Sequence, residues 1–336
     1  MSVELIDLKI DFGFKLIFGR EGQEPLLAAF LNAILKPAAG KQIQSLTYMN
    51  TELSKDNTDD KESSLDIRVV TKDQRQINIE IQLKDEHNMD KRSLYYWAKL
   101  YSRQLSEGMA YAQLNSTITI NILNYNYLKE TDEFHSTFHL YEQKKQFMLT
   151  DALAMHFIEL PKLRKKWRAK EITPRQDRLV RWLFLLDGNE NEEIRKELEA
   201  IAMEDPMIKR AMKDWENISG DPKLRELYFD RRKAVLDRMA AAKEAELREE
   251  RAEARGRTDA ICQYLEARFG SDSQALQETV CSLTDLNVLS RIMNRIFLVT
   301  SLDEAKALIQ ELLREGASSG RSPGVEGASF GISPGV

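Results

Sequence analysis

The chain has 336 residues, 42% of them hydrophobic, with a mean hydropathy of −0.47 and a net charge of −5. That length accommodates one large domain and a smaller one, with enough apolar residues for a buried core. The acidic balance excludes a protein that coats nucleic acid by charge alone, and no apolar run approaches the roughly 20 residues that span a bilayer, so no membrane-spanning helix is expected.

The opening MSVELIDLKIDFGFK is acidic early and lacks a basic stretch followed by an apolar one, so no signal peptide is expected. Residues 11–19, DFGFKLIFG, read as a short aromatic-rich helix or turn. Residues 24–36 read as a helix, with Pro25 suited to the first turn and Leu26, Phe30 and Ile34 at helical spacing. A strand is expected over 45–53 and a polar loop over 54–63. SLDIRVVT (64–71) and QINIEIQLK (76–84) alternate as strands around the polar turn KDQRQ. A long helix follows over 90–114, with Leu94, Trp97, Tyr101 and Leu105 on one stripe. Strands are expected over 117–123, 134–142 and 154–163.

From about 174 the pattern is helical. Residues 221–257 mix alanine with both charges and read as a solvated helix or a self-association helix. Residues 258–316 read as a small helical module with Leu265, Phe269, Leu276 and Val280 in its core. The Gly-, Ser- and Pro-rich stretch 317–336 is expected to be disordered. The expected layout is a mixed α/β core over 1–170, a helical extension over 171–220, the charged linker helix, the small module and the tail. Cys262 and Cys281 are expected as free thiols, which suits a cytoplasmic protein.

The pair of strands around residues 72–75 carries the chemistry. Antiparallel pairing that brings the two polar faces together requires an even sum of paired residue numbers. Pairing Thr71 with Arg75, or Val70 with Gln76, then sets Asp66 opposite Glu80, with Asn78 and Gln82 next on the same face. Two readings stay open on spacing alone. The carboxylates either face solvent, hydrated and balanced by Arg68 and Lys84, or hold a hard cation such as Mg²⁺.

The run DKESSLDIRV…INIEIQ followed by KRSLYYWAKLYSRQL resembles the PD-(D/E)XK nuclease family transposases, also called the recombination-promoting nuclease family. The resemblance extends upstream through DFGFKLIFG and FLNAIL. It extends downstream through ITINILNYNYL, FHSTFHL and HFIELPKL, covering roughly residues 8–165. It implies a restriction endonuclease-like fold and Mg²⁺-dependent DNA cleavage, with Mn²⁺ as a second option. Carried over, it implies Asp66 and Glu80 as catalytic metal ligands and Asp11 as an N-terminal acid on the first helix, where capping is the alternative role. Gln82 stands where many relatives carry lysine, so it would orient a water while Lys84 or a helix residue meets the phosphate.

DNA contacts are expected from Lys61 and Arg92 flanking the hairpin, and from Lys165, Lys166, Trp167 and Arg168 in the basic run PKLRKKWRAK; the alternative is solvated surface charge for the first two and a solvated charged helix start for the run. Tyr95 and Tyr96 are expected to pack the long helix on the sheet. His135 and His139 share a strand face without a third zinc ligand. Two functional classes follow: a Mg²⁺-dependent DNA endonuclease linked to recombination or mobile DNA, and a non-catalytic DNA- or protein-binding module on the same fold. A homo-oligomer through the charged helix or the C-terminal module is a further expectation.

Overall fold

The computed structural model describes residues 4–53, 63–64, 66–85 and 87–319. They divide into two compact units, Met1–Val235 and Leu236–Val336. Lys61 and the residues beyond 319 lie outside the described residues.

The first unit opens with α1 (Asp11–Phe18) and α2 (Glu24–Leu35). Phe14, Ile17 and Phe18 of α1 are buried, and Phe18 packs its ring on Phe30 and Trp182. Gly13 permits this seating, because a Cβ there would sit 2.5 Å from the Asp7 carbonyl oxygen. The expected strand over 45–53 is two pieces, β1 (Leu46–Tyr48) and β2 (Glu52–Leu53), the latter paired with β3 (Ser63–Ser64).

The hairpin consists of β4 (Ile67–Thr71) and β5 (Gln76–Gln82). Its register pairs Val70 with Gln76 and Ile67 with Ile79, the register that both predicted pairings define. Next come α3 (Met89–Ser102), β6 (Thr117–Leu123), β7 (His135–Tyr141) and β8 (Met148–Glu159). Helix α3 stops well short of 114: the chain turns through Gly108, which has a φ of 83° and so sits where a side chain is disfavoured. Its buried face is Met89, Ser93, Tyr96, Lys99 and Leu100, while Leu94 is exposed. The stripe through Leu94 is therefore corrected by part of a turn.

The six-stranded sheet has the order β1-β4-β5-β6-β8-β7. Strands β5, β6 and β8 run parallel, and the remaining pairings are antiparallel. A parallel pair needs a crossover, which α3 supplies between β5 and β6. On one face Ile77, Ile79, Ile81, Ile118, Ile120 and Ile122 join α1 and α2 in the main core. The opposite face of β5 and β6 carries Asn78, Glu80, Thr119 and Asn121, all buried. Helix α3 covers them: Ser93 Oγ lies 3.0 Å from Thr119 Oγ1 and accepts from Asn121 Nδ2 at 2.9 Å. Of the two readings that spacing left open, the solvent-facing one is excluded by the crossover helix.

The expected strand over 154–163 is also redrawn. Strand β8 begins earlier, and Leu160–Arg168 is helix α4 with Pro161 in its first turn, where its missing N–H costs nothing. Helices α5 (Arg178–Asp187), α6 (Glu192–Ala202) and α7 (Pro206–Gly220) complete this unit's helical layer. Asp177, Asn191 and Asp205 cap them through side-chain oxygens that accept backbone N–H groups.

Helix α8 (Pro222–Phe269) starts in the first unit and runs into the second. Its charged stretch carries pairs such as Lys243–Glu246, Arg248–Glu244 and Arg257–Glu253, the spacing expected of a solvated helix. The second unit adds α9 (Gln274–Cys281), α10 (Leu286–Ile296) and α11 (Leu302–Ser319). Its core includes Leu265, Leu276, Val280, Leu289 and Ile292, with Phe269 partly buried against it. No helix of the described residues is long and apolar enough to cross a membrane.

Candidate metal and nucleic-acid site

Extending the β4–β5 register by one pair sets Asp66 opposite Glu80, and their contacts confirm the juxtaposition. The Asp66 N–H donates to Glu80 Oε1 at 3.3 Å, and Asp66 Oδ2 accepts the Ile81 N–H at 2.9 Å. Asn78 Nδ2 donates to the same Glu80 oxygen at 3.3 Å, and Arg92 from α3 donates to Glu80 Oε2 at 3.3 Å. Glu80 is only 1% exposed and Asp66 12%.

Two neighbouring buried carboxylates are short of positive charge. Burial, reinforced by the nearby Asp66 carboxylate, pushes the Glu80 carboxyl up to about 8, against the pull of Arg92 and the hydrogen bond from Asn78. Burial also raises Asp66, opposed by Lys15 and the Ile81 N–H. Removing water penalises the charged form more than the available partners restore it.

The cations that reach the pair are not the expected ones. Lys15 on α1 lies 3.2 Å from Asp66 Oδ1 and 3.9 Å from Asp11 Oδ2. Arg92 takes Glu80. Arg68 turns instead to Gln76 Oε1 at 3.0 Å. Lys84 lies beyond the end of β5, half-buried, and forms no ion pair with Asp66 or Glu80. Gln82 closes β5 on the Glu80 face, half-buried.

Lys15 was not a candidate in the sequence. The only signal was its i,i+4 spacing from Asp11, which sets both on one side of a helix; its partner Asp66 is far away in the chain. Asp11 is not a capping residue, since Ile10 occupies that position and Asp11 stands in the first turn. There a carboxylate also favours the helix dipole.

The basic segment is mostly used within the fold. Lys162 is buried on Glu159 at 2.6 Å, and Arg164 pairs with Asp187 at 2.8 Å. Lys165 meets Asp132 at 3.2 Å and Lys166 meets Glu133 at 2.6 Å. The Trp167 ring packs edge-on against Phe184, centroids 5.1 Å apart, as part of the main core's border. Arg168 is exposed. Tyr96 is buried with Arg92 over its ring at 5.4 Å, whereas Tyr95 is partly exposed. His135 Nε2 lies 2.9 Å from His156 Nδ1, and burial lowers these rings to about 4 and about 3.

Among the described residues, no three His, Cys, Asp or Glu side chains form a ready metal cage. A Mg²⁺ site does not require one, because the ion commonly takes one or two carboxylates and keeps its remaining oxygens from water and phosphate. Asp66 and Glu80 offer a hard, oxygen-only donor set with an unmet demand for positive charge. The buried Asn78 Oδ1 beside them has no hydrogen-bond partner. The residues present therefore fit such an ion.

No curated protein and no solved structure matches the chain. A family model described as PD-(D/E)XK nuclease family transposase matches residues 8–245, reaching past the sheet through α7 and into α8. With most of its length covered by that match, the chain belongs to the PD-(D/E)XK nuclease family transposases.

Proposed function

We propose that the protein is a Mg²⁺-dependent DNA endonuclease, with Mn²⁺ able to substitute, that hydrolyses phosphodiester bonds in the service of recombination or mobile DNA. The observation that carries this reading is the contact of Asp66 with Glu80 in a dry site, where Glu80 retains its proton up to about pH 8. Such a pair is costly for the fold and has a use only when a cation or a substrate proton is brought to it.

Asp66 and Glu80 would hold the ion, with Asp11 near enough to raise the Asp66 carboxyl electrostatically. When bound, the ion supplies charge stabilisation at the phosphate and a more acidic attacking water. The chain's own groups do the positioning. The Ile81 N–H fixes one Asp66 oxygen, and Arg92 and Asn78 hold the two Glu80 oxygens. Gln82, next along the same face, has an amide suited to orienting a water rather than to neutralising charge. Lys165 and Arg168, exposed at the end of α4, are in reach of solvent and would contact the DNA backbone away from the reacting phosphate.

The test is nicking of supercoiled plasmid with Mg²⁺ and with EDTA, run beside Glu80→Ala. The expected result is Mg²⁺-dependent nicking that falls by about 10³-fold or more in the variant, the scale seen when a key electrostatic group is removed from an active site. DNA binding without nicking in the wild type would instead identify a non-catalytic binding module. Equal nicking by wild type and Glu80→Ala would refute the assigned site.

A further inference from the structure

We propose that Lys15 supplies from helix α1 the positive charge that Gln82 does not supply from the strand, and that its ammonium contacts a DNA phosphate oxygen at the Asp66–Glu80 pair. This rests on the nuclease reading above, and it assigns a role to the lysine of the DFGFK motif, which that reading leaves without one.

The argument begins with what holds α1. Its seating is set by Phe14, Ile17 and Phe18 in the core and by the close approach of Gly13 to the Asp7 carbonyl. An ion pair is not needed to anchor it. With those residues inward, Asp11 and Lys15 share the side that meets Asp66. The exposures then form a gradient. Glu80 is 1% exposed, Asp66 12%, and the Lys15 and Asp11 side chains 35% and 42%, so Lys15 lies at the open edge of the pair with Asp11 beside it.

The other cations are less suited. Arg92 is engaged by Glu80 and lies over the Tyr96 ring. Lys84 forms no ion pair with either acid. Lys15 has three rotatable donors on a compact charge, so one N–H can stay on Asp66 while another turns to a phosphate oxygen. Asp66 keeps its orientation during that exchange because the Ile81 N–H already holds its other oxygen. Pairing with the buried Asp66 accounts for one side of the Lys15 ammonium, and its other donors are what a phosphate oxygen can take.

The experiment uses the full chain and three variants: Lys15→Gln, Lys15→Arg, and Lys15→Gln combined with Gln82→Lys. The first readout is binding of a fluorescein-labelled DNA duplex in EDTA, followed by anisotropy across a salt series. One phosphate contact contributes about 0.9 to the slope of log affinity against log salt. Lys15→Gln is expected to lose that increment, and Lys15→Arg to retain it. The second readout is plasmid nicking in Mg²⁺. Lys15→Gln is expected to lose about 10²-fold or more, and the added lysine at position 82 is expected to restore most of that loss. A structural ion pair would not be rescued by a lysine on a different element.

An unchanged salt slope in Lys15→Gln overturns the phosphate contact. A double variant no more active than Lys15→Gln overturns the equivalence with position 82. If the wild type and Glu80→Ala nick alike, the nuclease reading fails by itself, and the salt slope still decides whether Lys15 meets phosphate.

Discussion

The two faces of strand β5 are both buried, yet they were built for different ends. Ile77, Ile79 and Ile81 enter the apolar core under α1 and α2. Asn78 and Glu80, on the other side of the same strand, lie under α3 among Thr119, Asn121 and Ser93. Burying the first set lowers the free energy of the fold by about 1.5–3 kcal/mol per side chain. Burying the second set raises it wherever a polar group is left incompletely matched. The difference teaches where this protein gives up stability: on the face where Asp66 and Glu80 meet. Fold stability and activity should therefore respond oppositely to changes on the two faces.

The largest stability effect belongs to the apolar face. Ile79→Ala removes a fully buried side chain from the centre of the sheet and is expected to cost about 2–5 kcal/mol. Urea denaturation of the first unit's transition would register it as a lower midpoint with an unchanged slope. DNA nicking, measured well below the midpoint, should fall by far less than in Glu80→Ala. If Ile79→Ala silenced nicking while the protein stayed folded, the two faces would not be separable.

The next effect sharpens the comparison from the polar side, through pH. The folded state holds a proton on Glu80 up to about pH 8, whereas an unfolded glutamate releases it near 4.5. The folded state thus binds more protons across that window, so the Glu80 contribution to stability is full below 4.5 and is lost as pH rises through 8. His135 and His156 act with the opposite sign, since burial lowers them to about 4 and about 3 from the ordinary 6.5. Their contribution grows as pH rises and levels off above 6.5, which leaves the interval from about 7 to 8.5 to Glu80 and the other carboxyls that burial raises, Asp66 and Asp7. In EDTA the melting temperature of the first unit should fall across that interval by about 2–4 °C for each kcal/mol lost. Glu80→Gln should flatten the decline, and Mg²⁺ should raise the wild-type value more at the alkaline end. A flat wild-type profile would mean that the folded protein already carries Glu80 ionised and that the site has no shortage of positive charge.

Much of this arrangement was visible in residue order. Alternation identified β4 and β5, and bringing their polar faces together gave the single register, Thr71 with Arg75 and Val70 with Gln76, that is observed. What escaped was whatever depends on a third element. Polar alternation on β4 and β5 looks like a solvated face until α3 is laid over it. The Lys15–Asp66 pair joins α1 to the hairpin across 51 positions of sequence, and residue order by itself carries no sign of it. A strand is expected through HFIELPKL, but Pro161 cannot donate to a ladder and stands in the first turn of α4 instead. The basic segment looks like a nucleic-acid patch because its acidic partners, Asp132, Glu133 and Asp187, lie 23 to 33 residues away in sequence.

That segment yields the smallest effect, and it separates backbone contact from chemistry. Lys165 and Arg168 are exposed at the end of α4, and the Lys165–Asp132 pair is a surface pair that a phosphate can displace. Trp167 is not available to stack on a base while its ring borders the main core against Phe184. Lys165→Gln with Arg168→Gln should therefore lower the salt slope of duplex binding by up to about 1.8, two phosphate contacts at about 0.9 each. At saturating DNA, the nicking rate should change by less than the affinity does, because neither side chain touches Asp66 or Glu80. Trp167→Ala, in contrast, should act on stability first, since it opens a gap beside Phe184. If the Lys165–Arg168 double variant left the salt slope intact, α4 would be a brace for the sheet and the DNA path would have to follow α1 and α3 past Lys15 and Arg92.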